Sequence, residues 1–267
     1  MHEIALRVGN DRVEETLDWL LLVAPLGVHE LERGEETELR VRGPHGDLPT
    51  REQVVNTAGE ALIEVAERDV PDDWQARRLH DYQPVRIADR LVIRPAWAPA
   101  PDDDAIDLIL AESGFGTGEH VTTRACLEAI LELEPGGPFA DLGCGSGVLA
   151  VLAAKLGWSP VVALDNDEKA VAATLANAAA NGVELDARTA DLMTESPPVA
   201  PTVVANIPAP VHLEIAGRLD VLPRILIATA LRIDNVDPVA AAYAQCGMLE
   251  RARRVEGTWV VLTLAPA

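Results

Sequence analysis

An α/β fold, with a doubly wound parallel sheet closed by an antiparallel strand pair and preceded by a small α+β domain, follows from three features of this 267-residue sequence. Beyond residue 105, short apolar runs alternate with helical stretches, the order that parallel strands and crossover helices produce. Within that region the run Asp141-Leu142-Gly143-Cys144-Gly145-Ser146-Gly147 ends an apolar strand and opens a helix. Ahead of it, residues 1–69 carry an apolar pattern of their own, separated by a stretch rich in Pro and Asp. The expected division is therefore 1–69 for the small domain, 70–104 for a linker and 105–267 for the α/β domain.

In the first segment, IALRV reads as a strand, residues 11–23 as a helix, ELRVRG as a strand and residues 51–68 as a second helix. That order suits a ferredoxin-like domain. Leu17, Leu20, Leu21 and Ala24 recur at the i, i+3, i+4, i+7 spacing of a buried helical face. In 70–104 only RLVIRPAW looks like a strand. A helix over 121–133 then leads into the strand PFADLG, a helix to Leu156, the strand VVALD, and a helix over 167–181 that stops at Asn181-Gly182. ELDARTA, TVVANI and RILIATA supply the next strands, residues 235–245 a helix, and MLERARRVE with TWVVLTLA the closing pair.

Glycines at 143, 145 and 147 permit positive φ and close backbone approach to a ligand, and the N–H groups at the following helix start are free to hold an anion. Asp165, at the end of the next strand, is placed to accept the two hydroxyls of a ribose. A dinucleotide fingerprint needs its third glycine where Val148 stands. Asp141 instead suits the cationic amino group of S-adenosylmethionine, which carries no pyrophosphate.

Two further constellations carry chemistry. At the end of TVVANI, the Asn206 side-chain oxygen and the Ile207 carbonyl can accept hydrogen bonds from an amine at the C-terminal edge of the sheet. A lysine with a pKa near 10.4 is neutral in only about one molecule in a few thousand at pH 7, so acceptors and desolvation are what an amine methyltransferase must supply. The Asn-Pro-Pro-aromatic motif of many such enzymes is only partly present here. Phe115-Gly116-Thr117-Gly118-Glu119-His120-Val121-Thr122-Thr123 forms a donor-rich loop before a helix, with Phe115 and Thr123 as cofactor contacts. His120 is either a general base or a helix cap.

Composition sets outer bounds. Lys and Arg total 22 against 43 Asp and Glu, a formal charge of −21. Such a charge repels nucleic acid and anionic membranes and favours a basic protein partner, or else reflects a generally acidic proteome. Cys126, Cys144 and Cys246 lack metal-binding spacing, so no metal is expected. With neither a membrane-length apolar run nor a signal-like start, the expected location is the cytoplasm.

The D-x-G-x-G-x-G pattern with its downstream acid resembles class I methyltransferases. FGTGEHVTTRACLEAI, ADLGCGSGVLAVLAAKLG, VVALDNDEKAV, NAAANGV, VVANIPA and GTWVVL together resemble the PrmA family, methyltransferases of large-subunit ribosomal protein eleven. Trp74, Tyr82-Gln83-Pro84 and RLVIRPAW extend the likeness into the linker, while residues 1–69 match in length and pattern alone. The resemblance implies a ferredoxin-like recognition domain, a flexible linker and a class I domain that methylates lysine side chains and an N-terminal amine of a basic ribosomal protein. By position it implies cofactor contacts at Thr123, Gly143, Asp165 and Asn206. Pro208 stands where the family has Leu. Two other readings stay open: a related methyltransferase acting on another protein or a small amine, and a cofactor-binding module without activity.

Overall fold

The structure, a computed structural model, describes residues 2–10, 12–23, 28–44, 46, 48–70, 82–112 and 116–267. Ala24, Trp74, Phe115 and the side chain of Leu21 lie outside what is described. The chain forms two compact units, Met1–Gln75 and Ala76–Ala267.

In the first unit, β1 (His2–Gly9), α1 (Val13–Val23), β2 (Val28–Arg33), β3 (Glu36–Gly43), α2 (Arg51–Ala58) and β4 (Leu62–Asp69) follow one another. The sheet has the order β2-β3-β1-β4 with every neighbouring pair antiparallel, the ferredoxin-like arrangement. Alternation along β1 and β3 buries Ile4, Leu6, Val8, Leu39 and Val41, and the helices bury Leu17, Leu20, Val54 and Ala58. On the other face Glu3 is buried between Arg42 and Arg68, with N–O distances of 2.5 and 2.6 Å. Burial acts to raise its pKa, but the two guanidiniums outweigh that and hold it below the ordinary carboxylate value.

The helix expected over 51–68 is only its first half. Thr50 and Gln53 close a capping box at its start, and Gly59, at φ 56°, ends it. Residues 62–69 then pair with β1, Val65 opposite Leu6 and Arg68 opposite Glu3. The helical propensity of Ala and Glu in this stretch yields to strand pairing along an open edge.

The second unit starts with structure where a linker was expected. β5 (Val85–Ile87), β6 (Leu91–Pro95) and β7 (Ile106–Leu110) form a small sheet. Ile87, Leu91, Ile93, Leu108 and Leu110 are sealed in one apolar cluster with Leu127 and Ile130 of α3 (Val121–Glu132). Arg94, buried, pairs with both carboxylate oxygens of Asp107 at 2.7 Å and donates to the Ala98 carbonyl at 2.6 Å. The sequence shows β6 as the strand RLVIRPAW, while β5 and β7, three and five residues long, are concealed by the Pro- and Asp-rich composition around them.

The main sheet contains β8 (Phe139–Leu142), β9 (Val161–Asp165), β10 (Asp186–Thr189), β11 (Thr202–Asn206), β12 (Ile225–Arg232), β13 (Met248–Glu256) and β14 (Trp259–Pro266). Their order is β10-β9-β8-β11-β12-β14-β13, parallel through β12 and antiparallel for the closing pair. α3, α4 (Val148–Leu156) and α5 (Glu168–Ala180) contribute to the apolar cluster on one face. α6 (Ala209–Ala216) and α7 (Val236–Gln245) contribute to that on the other. Covering both faces explains why the central strands read as unbroken apolar runs. α6, which the sequence reading did not resolve, follows directly from the Asn206-Ile207-Pro208 turn. The order reverses between β8 and β11, so the C-terminal ends of these strands flank a crevice.

Both apolar clusters of the second unit begin at Tyr82 or later. A chain of residues 76–267 is therefore expected to unfold in a single cooperative thermal transition. Non-cooperative melting followed by circular dichroism would show instead that this core needs residues 1–75.

Candidate functional site

At the crevice, the chain leaves β8 through a turn in which Gly143, Gly145 and Gly147 all have positive φ. Two of these glycines answer to protein neighbours. A Cβ on Gly143 would overlap the Ile207 side chain, and one on Gly147 would come within 2.7 Å of Thr174 Cγ2 and Oγ1. The first contact draws β8's turn against the end of β11, and the second seats it on α5. Thr174 also donates to the Gly145 carbonyl at 3.1 Å.

Asp165, at the end of β9, accepts from the Gly145 amide at 2.9 Å and from the Asp167 amide at 3.0 Å. A carboxylate offers about four lone-pair positions, so roughly two remain for hydroxyl donors. Burial is the main reason its pKa lies above the ordinary value. Asp141, inside β8, is 0% exposed. One of its oxygens accepts from the Ala150 amide at 3.1 Å, and the other, Oδ1, is buried without a hydrogen-bond partner. Burial pushes its pKa up to about 7.

Asn206 closes the crevice from β11. Its Nδ2 donates to Thr123 Oγ1 at 3.4 Å, while its Oδ1 is buried and lacks a donor. Thr123 is 1% exposed on the first turn of α3, and Gly116 packs beside its hydroxyl and that of Ser146. The loop before α3 is fastened on both sides, by Ser146 Oγ to the Gly116 carbonyl at 2.9 Å and by the Tyr82 hydroxyl to the Thr117 carbonyl at 2.7 Å. The structure thus gathers Thr123, Asp141, Gly143, Gly145, Gly147, Asp165, Asn206 and Ile207 around one crevice.

His120 takes the capping role. Its Nδ1 accepts from the Thr122 amide at the start of α3, and its ring meets Trp259 edge-on at 5.1 Å. Burial lowers its pKa to about 4, too weak a base to draw a proton from an alkylammonium.

Asn177 was absent from the sequence reading as a site residue. Fully buried on α5, it accepts from the Ala111 and Glu112 amides at 2.8 and 2.9 Å and donates to the Ser146 carbonyl at 2.7 Å. Asn181, one turn on, accepts from Ile109 at 2.8 Å and donates to its carbonyl at 2.7 Å. Together they tie the exit of β7 to the glycine turn. The readable signal was a pair of Asn residues at i and i+4 in an alanine-rich helix, where only tertiary partners justify them.

These features fit a nucleoside carrying a cationic amino acid group. Two buried acceptors without donors, Asp141 Oδ1 and Asn206 Oδ1, cost stability unless a donor or cation arrives. Asp165 has acceptor capacity left for ribose hydroxyls, and the glycine turn offers backbone space for the chain attached to them.

The raised pKa of Asp141 has a measurable consequence. The folded chain favours the protonated acid, whereas the unfolded one ionises near 3.8. The stability contributed by neutral Asp141 is present below about pH 4 and is lost as pH rises through about 7. Asp141→Asn, neutral throughout, is expected to gain thermal stability relative to the unsubstituted chain between about pH 5 and 8. A melting-temperature difference that stays flat across that range would refute the assignment.

The family model described as Ribosomal protein L11 methyltransferase (PrmA) matches residues 50–265. The Ribosomal protein L11 methyltransferase of Gloeobacter violaceus is 35% identical over 278 residues, covering 97% of this chain and 86% of the relative. That of Synechococcus sp. is 33% identical and covers 96% of this chain and 94% of its own. Among solved structures, the ribosomal protein L11 methylase of Lactobacillus delbrueckii subsp. bulgaricus superposes with a TM-score of 0.62 at 26% identity, covering 69% of this chain and 99% of that one. With the glycine turn, its downstream acid and the sheet order already in place, these likenesses lead to one conclusion: the chain belongs to the ribosomal protein L11 methyltransferase (PrmA) family, whose methyl donor is S-adenosylmethionine.

Proposed function

We propose that this chain methylates amines of ribosomal protein L11, lysine side chains and the N-terminal amine, and that Asn206 and Ile207 receive those amines. The observation that carries the reading is the buried, donorless Asn206 Oδ1 beside the glycine turn. When bound, S-adenosylmethionine would supply an electrophilic methyl group on a sulfonium to an amine lone pair, with S-adenosylhomocysteine as the leaving group. Asp165 would hold the ribose hydroxyls, Thr123 and the Gly143–Gly147 turn would enclose the rest, and Asp141 would offset the positive charge.

The acceptor amine must first lose a proton. Two acceptors, the Asn206 oxygen and the Ile207 carbonyl, orient its remaining N–H bonds, and desolvation in the crevice lowers its pKa toward neutrality. With His120 held as a cap, the proton passes to solvent. Partner and place follow from the same reading. A formal charge of −21 suits a basic ribosomal protein better than nucleic acid or an anionic membrane, and the work is assigned to the cytoplasm. Among the described residues no helix is long and apolar enough to cross a membrane.

Two experiments test this. Asp165→Ala is expected to weaken S-adenosylmethionine binding about ten- to a hundredfold, the loss of charge-assisted hydrogen bonds, while melting stays cooperative. Calorimetric titration with unchanged affinity would remove Asp165 from the site. Incubating the chain with methyl-labelled cofactor and unmethylated ribosomal proteins is expected to label L11, and Asn206→Ala to abolish most of that label. Label on a different protein or a small amine would move the substrate elsewhere, and cofactor binding without any transfer would mark a binding module.

A further inference from the structure

One titratable side chain that this mechanism does not use is sealed beside the site. His212 lies on α6, the helix that follows the Asn206-Ile207-Pro208 turn, and is 0% exposed. Its Nε2 is 3.0 Å from the Thr229 carbonyl and its Nδ1 is 3.0 Å from the Tyr243 hydroxyl. A carbonyl only accepts, so Nε2 carries the proton. In a neutral ring Nδ1 is then the acceptor, and Tyr243 donates to it. Burial lowers the pKa to about 4 despite the opposing pull of the Thr229 and Ile207 carbonyls, which keeps the ring neutral. Partners on two other elements, α7 and β12, thus select one tautomer and one ring orientation.

The position of Thr229 gives this arrangement its consequence. Thr229 is the β12 residue that pairs with Asn206 of β11. Immediately after it Ala230 has φ 59°, and the pairing with β14 shifts register between Ala228 and Leu231. His212 therefore supplies a donor to a carbonyl at a break in the ladder, while the Thr229 hydroxyl donates to Val260 of β14 at 3.0 Å. Bulges of this kind recur beside active sites because they aim a neighbouring group. Here the bond spans from the helix that begins at the Asn206-Ile207-Pro208 turn to the strand lying against that turn.

We propose that His212 is a positioning residue for the methyl-accepting amine: its Nε2–H bond to Thr229 fixes the start of α6 against β12 and so holds the Asn206 oxygen and the Ile207 carbonyl in register. This rests on the reading that those two groups receive the amine. His212 itself touches neither substrate nor cofactor.

The test uses the full chain with His212→Phe and His212→Gln, following thermal melting, calorimetric affinity for S-adenosylmethionine, and the single-turnover rate of transfer to ribosomal protein L11. His212→Phe keeps an aromatic ring but loses both hydrogen bonds. It is expected to slow transfer about ten- to a hundredfold, the scale of a small misplacement of reacting groups, with cofactor affinity held within about threefold. His212→Gln, whose amide can still donate to Thr229, is expected to recover a large part of the rate. A folded His212→Phe chain that transfers at the original rate, or one whose cofactor affinity falls in step with its rate, overturns the proposal. Should that variant fail to fold, Tyr243→Phe removes the hydrogen bond that holds the ring at Nδ1 and leaves the Nε2–H bond to Thr229 to hold it alone. It is expected to slow transfer measurably and to shift the Nδ1 signal in long-range proton–nitrogen spectra, and an unchanged rate counts against the proposal. Asn206→Ala measured alongside separates the two claims. Loss of transfer there with none in His212→Phe removes only the positioning role, whereas normal transfer in Asn206→Ala removes the amine site and His212's role with it.

Discussion

Where β8 ends, Gly143 lets the side chain of Ile207 occupy the space that any Cβ would take, and the geometry of the crevice follows from that contact. The turn after β8 and the turn after β11 come from strands that are adjacent in space and far apart in sequence. Bringing them into contact at Gly143 sets Asn206 at the mouth of the sheet, within reach of Thr123 on α3. Gly147 makes the equivalent contact with Thr174, so the same turn is gripped from α5. A larger residue at either glycine would push these elements apart, and its cost would be counted in site geometry as much as in stability.

Onto that frame the protein places acceptors in excess of donors. Asp141, Asp165 and Asn206 lie close together in a buried region, and two of their oxygens have no partner. Uncompensated acceptors at low dielectric raise carboxylate pKa values and destabilise the fold locally, as the direction of the shifts at Asp141 and Asp165 records. A ligand with a cationic head and ribose hydroxyls would relieve that tension, so that part of its binding free energy would come from unsatisfied polar groups already in the protein. The electrostatics that burden these buried acceptors would also attract a cation.

Around the crevice, neutral polar side chains do the holding. Asn177 and Asn181 fasten the exit of β7, Tyr82 and Ser146 fasten the loop before α3, and His212 fastens the start of α6. Each bonds to a segment well separated from it in the chain, and none adds net charge to a region already acidic. Arg94 and Asp107 play the corresponding part in the small sheet, where a bidentate ion pair can be buried because the Ala98 carbonyl takes a further guanidinium donor.

Periodic patterns made the alternating strands and helices of the main sheet legible, because a strand buried on both faces must be apolar throughout and a helix over it must show a stripe. Asp141, Asp165, Asn206 and the three glycines were legible for a related reason: such residues at strand ends are costly unless a turn or ligand needs them. RLVIRPAW was legible as the strand β6, but its partners β5 and β7 and the strand β4 were not, since short strands carry little periodicity and β4's residues also suit a helix. Pairing with β1 decided β4, a choice no local signal contains. His120 could be read from the sequence as base or cap; its local bond to Thr122 makes it a cap, and burial against Trp259, distant in the chain, lowers its basicity. Asn177 and His212 lay hidden as polar residues in helices. Their roles depend on partners 17 to 66 positions away, which are brought to them only once the chain has packed.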